Sequence, residues 1–307
     1  MTNQTPSDKL LRFSFDKLDI RGELVYLDES WTSILARHEY PQSVRRQLGD
    51  ALAAAALLSA TVKFDGTMIL QVQGNGPLRS LVVQVTSDGE LRGLARWEGI
   101  VPDGNLMDVY GDGRMLITIT KKDGERYQSI VALEGDSLAS ALNVYFYQSE
   151  QLPSRFQLYV DGDRVGGLFL QALPTSERSQ KLGTGPALRD REEDWNRITV
   201  LAGTLADNEI FAMPAERLLL NLFHEEDVHL HTPKPLRFAC TCSRAKVERT
   251  LIALGQEELR SILRDEGTIK VDCEFCNQHY AFDATDVDAL AATSDGGDEP
   301  APGSVLH

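Results

Sequence analysis

The sequence places all four of its cysteines in two short motifs near the C-terminal end. Cys240 and Cys242 form a C-x-C motif in RFACTCSRAK, and Cys273 and Cys276 form a C-x-x-C motif in VDCEFCNQHY. Thirty residues separate the two motifs, which is enough chain for a small folded unit. Four thiolates that converge from two such motifs are a common tetrahedral ligand set for Zn²⁺. The spacing therefore predicts one zinc ion per chain, held by these four residues.

Three kinds of chemistry fit the two motifs, and the spacing alone leaves them open. A structural zinc ion would supply folding free energy, which is on the order of 10 to 16 kcal/mol in zinc-finger peptides. A redox switch is the second possibility, because zinc-bound thiolates react with oxidants and each has a neighbouring thiolate as a disulfide partner. A dithiol oxidoreductase is the third, although the strand–C-x-x-C–helix context of such enzymes is absent.

The composition argues against nucleic acid and membrane as partners. The 307 residues include 31 Lys and Arg against 46 Asp and Glu, for a formal net charge of −15 that opposes attraction to phosphate. The N-terminal sequence has no signal-peptide pattern, and the longest apolar run, residues 51–58, is too short to span a bilayer. We expect a cytoplasmic protein, in which thiols are kept reduced.

Residues 1–175 are predicted to form an α+β domain with a largely antiparallel sheet. An Ala/Leu-rich stretch at 41–64 and a second stretch at 136–150 are typical of helices. Strand patterns follow one another without intervening helices, and Asp88-Gly89 and Asp123-Gly124 are typical hairpin turns. The predicted strands are TMILQVQG, LRSLVVQVTSDGELRGLAR, RMLITIT, YQSIVAL, RFQLYVD and VGGLFLQALP.

The remainder divides into a linker, a cysteine-containing domain and a tail. Residues 176–232 are predicted to be a helical linker of marginal stability, because its apolar positions have few partners within the segment. Trp195, Ile198 and Leu222 illustrate these positions, so each helix must pack on a flanking domain. Residues 233–290 form the predicted zinc-binding domain, and residues 291–307 a disordered tail.

The cysteine motifs and their surroundings resemble the thirty-three-kilodalton chaperonin family, the redox-regulated heat-shock holdases of bacteria. The resemblance rests on LFHEEDVHLHTPKPLRFACTCSRAKVERTLIALG and CEFCNQHYAFDATDV, and upstream on GNGPLRSLVVQV, ALNVYFYQSEQLPSRF and GGLFLQALP. It covers nearly the whole chain, and no position of the cysteine signature is missing.

The resemblance implies a stress-response chaperone rather than an enzyme. Members of the family are inactive while reduced and zinc-bound. Oxidation would form disulfides between Cys240 and Cys242 and between Cys273 and Cys276, release the zinc and unfold the zinc domain and linker. The protein would then dimerise and bind unfolding client proteins without ATP. A zinc-ribbon binding protein with purely structural zinc is the alternative.

The sequence predicts structural roles for the other candidate residues. His224, His229 and His231 lie in LFHEEDVHLHTP, where the spacing H-E-x-x-x-H does not match the zinc protease motif, so surface roles are predicted. His279 could act as a ligand, but four cysteines already complete a tetrahedral site. The aromatic run Tyr145, Phe146 and Tyr147 is predicted to belong to the core, with client contact as the alternative. Arg237, Arg244, Lys246 and Lys270 are predicted to form a solvated face.

Overall fold

The computed structural model describes residues 8–174 and 188–294. The beginning of the predicted linker and residues 295–307 of the predicted tail lie outside this part of the chain. Two compact units are present, one comprising residues 1–239 and the other residues 240–307.

The first sheet of the N-terminal unit is antiparallel throughout its described strands. Its order is β10-β1-β2-β9-β8, with β11 pairing on β1 as well. Two tight hairpins, β1–β2 and β8–β9, form its centre, where β2 and β9 pair with each other. The strands are β1 (Lys9–Phe15), β2 (Ile20–Leu27), β8 (Ser154–Asp161), β9 (Arg164–Ala172), β10 (Val228–Leu230) and β11 (Lys234–Pro235).

The second sheet of this unit follows the order β12-β5-β4-β3-β6-β7. Its neighbours are antiparallel except for β12, which pairs with β5 in parallel. The predicted turns are present, and Gly89 and Gly124 adopt the positive φ angles of 85° and 90° that glycine tolerates best. The strands are β3 (Gly66–Gln73), β4 (Leu78–Thr86), β5 (Glu90–Trp97), β6 (Arg114–Lys121), β7 (Arg126–Ala132) and β12 (Arg237–Phe238).

Helix α2 (Gln42–Thr61) lies between the two sheets and is the centre of the main core. It contacts β2, β8 and β9 of the first sheet and β3, β4 and β5 of the second. Side chains at 51–60 are no more than 6% exposed. Alanine at six of these positions lets both sheets approach the helix backbone closely, which explains the Ala-rich run seen in the sequence. The shorter helices around this core are α1 (Glu29–Leu35), α3 (Leu106–Tyr110) and α4 (Leu138–Ser149).

The described part of the linker covers the other face of the first sheet. Helices α5 (Leu188–Ala202) and α6 (Ala215–Leu222) flank a 3-10 helix, Glu209–Phe211. Their apolar residues form a second core with side chains from β1, β2, β8 and β9. The expectation that both helices pack on a flanking domain is therefore confirmed, and β2 and β9 are buried on both faces.

The C-terminal unit has three helices around a hairpin among its described residues. These are α7 (Arg244–Leu254), α8 (Gln256–Glu266) and α9 (Ala284–Ser294), with strands β13 (Ile269–Asp272) and β14 (His279–Phe282). The core is small and consists of Leu251, Leu259, Ile269, Phe282, Val287 and Leu290. Helix α9 includes residues 291–294, the first four of the predicted tail.

The predicted class, α+β with largely antiparallel sheets and a C-terminal cysteine cluster, is confirmed. Across residues 8–174 and 188–294, no helix combines the length and apolar character required to cross a membrane.

Candidate metal centre

The four cysteines are carried by two loops of the C-terminal unit. Cys240 and Cys242 lie in the segment that leads into α7, whose first turn is capped by the Ser243 side chain accepting from the backbone N–H of Lys246. Cys273 directly follows β13, and Cys276 lies in the tight turn that leads to β14. This turn closes through Asn277, which has a φ of 56° and donates its N–H to the Cys273 carbonyl at 2.7 Å.

The four Sγ atoms converge to within 4.8 Å of one another. Two of the separations join the two motifs, 3.6 Å for Cys240–Cys273 and 3.4 Å for Cys242–Cys276. Tetrahedral zinc with Zn–S bonds of about 2.3 Å requires S···S separations of roughly 3.8 Å. No disulfide links these residues. Both the donor atoms and their spacing therefore fit a four-thiolate metal site, in which all four residues would be ligands.

The electrostatics of the cluster also fit a cation. Burial is the main cause that raises the pKa of Cys273 and of Cys276 above the ordinary thiol value. Hydrogen bonds from backbone N–H groups lower these two pKa values. The N–H groups of Cys276 and Phe275 donate to Cys273, and that of Gln278 donates to Cys276. Without a positive ion these thiols would remain protonated, whereas a divalent cation stabilises the thiolates.

Side chains around the cluster attach the first motif to the hairpin. Arg244 donates from Nη1 to the Ala281 carbonyl at 3.0 Å and forms an ion pair with Asp286 at 2.7 Å. Lys246 donates from Nζ to the Thr241 carbonyl at 2.6 Å. These two cations lie on the segment that carries Cys242, where they would offset the negative charge of four thiolates around a divalent metal ion.

Tyr280 also contacts the cysteine cluster, although neither cysteine motif includes it. Its hydroxyl donates to Cys242 Sγ at 3.2 Å. This bond raises the pKa of the Tyr280 hydroxyl to about 12, since the hydroxyl proton is held by the neighbouring sulfur. A sequence signal exists, because Tyr280 precedes the buried Phe282 by two positions on a strand and so shares its face.

Among the described residues, the candidate histidines do not belong to a group of metal-ligating side chains. His229 pairs with Asp16 at 2.9 Å, and His231 lies 3.2 Å from the Ser14 hydroxyl. His279 pairs with Asp272 at 2.7 Å. Within the described ranges, the cysteine cluster is the single group of three or more candidate ligand side chains.

The remaining candidates have ordinary structural contacts. Arg237 forms an ion pair with Glu90 at 2.5 Å on the N-terminal unit. Phe146 belongs to the main core and packs on Phe156 with ring centroids 5.4 Å apart. Tyr145 is partly buried beside it, whereas Tyr147 is 74% exposed. The core prediction for this aromatic run therefore holds for Phe146 and Tyr145 and is wrong for Tyr147, whose helical position faces solvent.

Fold and site together define a class of protein: an α+β body followed by a small helical unit in which four cysteines form a candidate metal centre. Comparison with known proteins then narrows this class. The family model described as Hsp33 protein matches residues 8–283.

Two relatives are similar to this chain in sequence, and a solved structure is similar to it in fold. A 33 kDa chaperonin from Nitrosococcus oceani is 50% identical over 283 residues, covering 92% of this chain and 94% of the relative. One from Pseudomonas aeruginosa is 43% identical and covers 98% of this chain and 99% of its own. The crystal structure of the Thermotoga maritima 33 kDa chaperonin matches with a TM-score of 0.75 at 24% identity, covering 94% of this chain and 99% of that one. The chain belongs to the Hsp33 family and is a chaperone of that family.

Proposed function

We propose that the protein is a redox-regulated, ATP-independent holdase that is inactive while reduced and metal-bound. The single observation that carries this proposal is the convergence of four unlinked thiols, contributed as two sequence-adjacent pairs, in a member of a chaperonin family. Zinc, when bound, would hold the four side chains as thiolates and contribute folding free energy to the C-terminal unit.

The proposed switch is oxidation of each pair to a disulfide by a peroxide. One thiolate attacks the peroxide oxygen to give a sulfenic acid, and the departing hydroxide takes up a proton to form water. The neighbouring thiolate then displaces hydroxide from the sulfenic sulfur. Two electrons leave each pair, so two equivalents of peroxide produce Cys240–Cys242 and Cys273–Cys276. The four cysteines could then no longer serve as thiolate ligands, so a zinc ion bound there, one per chain, would be released.

After this change the C-terminal unit has only its small apolar core to keep it folded. Its buried core contains six apolar side chains, which provide little hydrophobic stabilisation for a unit of this size. A metal contribution on the order of 10 kcal/mol exceeds the whole stability of many small domains. Loss of the thiolate ligands is therefore expected to unfold this unit.

The surface proposed to become available lies on the first sheet of the N-terminal unit. We call it the linker-covered face, defined by the side chains of β1, β2, β8 and β9 that pack against α5, the 3-10 helix and α6. Its members are Leu11, Phe13, Phe15, Leu24, Tyr26, Tyr159, Leu168 and Leu170, all at most 5% exposed.

The attachment of the linker supports this interpretation. Residues 228–238 add the short strands β10, β11 and β12 to the edges of both sheets, and Cys240 follows almost at once in the chain. The polar contacts near this end include the exposed pair Lys17–Asp227 at 3.1 Å, which contributes little stability, and a less exposed pair between Arg197 and Glu226. The buried apolar side chains of α5, the 3-10 helix and α6 add to this attachment. Once the linker is released, an apolar sheet face of several aromatic and aliphatic side chains is suited to hold unfolded polypeptide.

The active form is proposed to be a homodimer that binds unfolding client proteins. Its proposed setting is the cytoplasm, where thiols are reduced until oxidative stress occurs. Tyr147 and the neighbouring Tyr145 remain a second candidate client contact, since Tyr147 is exposed.

The test is to measure zinc content and suppression of client aggregation before and after peroxide treatment at raised temperature. We expect one zinc per reduced chain, loss of that zinc on oxidation, and activity only afterwards. A heated sample without peroxide and an oxidised sample returned to dithiol serve as controls. Equal activity in both redox states with zinc retained would reject the switch and favour a purely structural zinc ion.

A further inference from the structure

The hydroxyl of Tyr280 gives the metal centre a side-chain hydrogen bond aimed at one particular sulfur. Tyr280 lies on β14, opposite Val271 of β13, at the end of the hairpin nearest to the cysteine turn. Alternation along β14 leaves His279 and Ala281 exposed and turns Tyr280 toward the unit, in the same direction as the buried Phe282. The donated bond to Cys242 Sγ is 3.2 Å long.

The hydrogen bonds at Cys273 and Cys276 have a different origin. Backbone N–H groups of Phe275, Cys276 and Gln278 supply them, as part of the turn itself. Those bonds persist whatever side chains the turn carries. The bond to Cys242 depends on one phenol, so the sequence can add it or remove it without altering the loop.

A hydrogen bond to a thiolate withdraws electron density from the sulfur and lowers its nucleophilicity. We propose that Tyr280 is a positioning residue that restrains the reaction of Cys242 with peroxide, thereby setting the oxidant level at which the first motif is lost. This inference rests on the proposed redox function. The ring also packs beside the small core, so its hydroxyl is held at a fixed position relative to the sulfur.

The restrained step is the attack of the Cys242 thiolate on the peroxide oxygen. The new bond is S–O, the O–O bond breaks, and hydroxide leaves and is protonated to water. Cys240 then attacks the sulfenic sulfur and displaces hydroxide to complete the disulfide. In the first step the hydrogen bond from Tyr280 is strongest while Cys242 carries full thiolate charge, and it weakens as that charge is lost to the new S–O bond. It therefore stabilises the reactant more than the transition state.

The decisive variant is Tyr280→Phe in the full-length, zinc-loaded protein. Zinc release during peroxide treatment is followed with a chromogenic chelator, and the oxidised cysteines are identified by mass spectrometry of alkylated peptides. We expect oxidation at Cys242 to accelerate roughly three- to tenfold, the effect of removing one charge-assisted hydrogen bond at the usual sensitivity of thiolate nucleophilicity. Tyr127→Phe, at an exposed position of β7, is the matched control and should leave the rate unchanged.

A spectroscopic measurement separates this role from simple packing. With Co²⁺ in place of zinc, the sulfur-to-metal charge-transfer band of Tyr280→Phe should move to longer wavelength, because a sulfur without the hydrogen bond is easier to oxidise. Replacement of Tyr280 by 3-fluorotyrosine, a stronger donor of similar shape, should slow oxidation. This second variant also serves if Tyr280→Phe fails to fold.

The outcomes distinguish this inference from the proposed function. If the unmodified protein keeps its zinc and stays inactive under peroxide, the switch itself is wrong. If the unmodified protein responds, but neither variant changes the rate at Cys242 and the Co²⁺ band does not move, the role of Tyr280 is overturned.

Discussion

The Sγ atoms of Cys242 and Cys276 lie 3.4 Å apart, although the two residues are 34 positions apart in the chain. Cys240 and Cys273 form the equivalent cross-motif pair at 3.6 Å. The proposed disulfides join residues within each motif instead, with S–S bonds of about 2.05 Å. Formation of both would use up the sulfurs within each motif, so no thiolate would remain through which a metal ion could bridge the two loops.

Removal of one ligand should loosen the C-terminal unit without any oxidant. Cys273→Ser leaves three thiols, so we expect weaker zinc binding and faster proteolysis after residue 232 under reducing conditions. Chelator competition measures the first effect and limited proteolysis the second. Thr250→Ser, at an exposed position of α7, is the control. Unchanged protease resistance in Cys273→Ser would contradict the idea that the metal site stabilises this unit.

Weakening the linker should activate the protein while the metal centre remains intact. Phe223 is fully buried against Phe15 and Phe13, with ring centroids 5.1 and 6.2 Å away. Its replacement by alanine should cost about 3 to 5 kcal/mol of linker attachment. We expect measurable suppression of client aggregation by reduced, zinc-loaded Phe223→Ala.

The adjacent helix supplies the control for that variant. Leu220 on α6 is 64% exposed, so Leu220→Ala removes little buried surface. It should behave like the unmodified protein in the same aggregation assay. Equal activity of the two variants would show that the linker-covered face is not what becomes available.

The buried Glu23 should make stability depend on pH. Burial raises its pKa from 4.5 to about 7, against the opposing effects of Arg21 and Arg12. Between these values the folded protein retains a proton that the unfolded chain releases, so stability falls as the pH rises from 4.5 to 7. Glu23→Gln removes this dependence, and we expect it to gain up to about 3 kcal/mol above pH 7 and almost nothing near pH 4.5.

Urea unfolding of the reduced protein at pH 5 and pH 8 tests the effect of Glu23→Gln. Tryptophan fluorescence is a suitable signal, since Trp31 is fully buried in the N-terminal unit. Glu134→Gln, at an exposed position, should show no comparable difference. A gain of the same size at both pH values would exclude titration of Glu23 as the cause.

Asp8 should stabilise the start of α1 from a distant part of the chain. Its carboxylate accepts from the backbone N–H groups of Asp28 at 2.6 Å, Glu29 at 2.9 Å and Ser30 at 2.7 Å. Asp8→Ala removes the acceptor of all three donors, of which the Ser30 N–H is buried, at a cost of about 1 to 3 kcal/mol. Chemical denaturation measures this loss, and the exposed Asp163→Ala is expected to show less than a third of it. Equal losses of unfolding free energy in the two variants would contradict a stabilising role for the hydrogen bonds of Asp8.

Several elements could be predicted because their signals are local. The hairpin turns at Gly89 and Gly124 require backbone conformations that glycine favours, and these turns lie where expected. Helix α2 was predicted from its Ala/Leu-rich run and observed at Gln42–Thr61. By contrast, β1, β2 and α1 were not predicted individually. The cap of α1 comes from Asp8, a contact between residues about twenty positions apart that no local pattern reports.

The amino-acid sequence by itself determined the four candidate metal ligands, the α+β class and the resemblance to a family, since each depends on residue types and spacings along the chain. The tertiary structure decided that the four sulfurs converge, that Tyr280 reaches Cys242, and that the linker helices cover the first sheet. Such contacts join residues far apart in sequence, and their energies arise from packing in three dimensions. A one-dimensional pattern shows that a helix has an apolar face, but only the folded chain shows what that face covers.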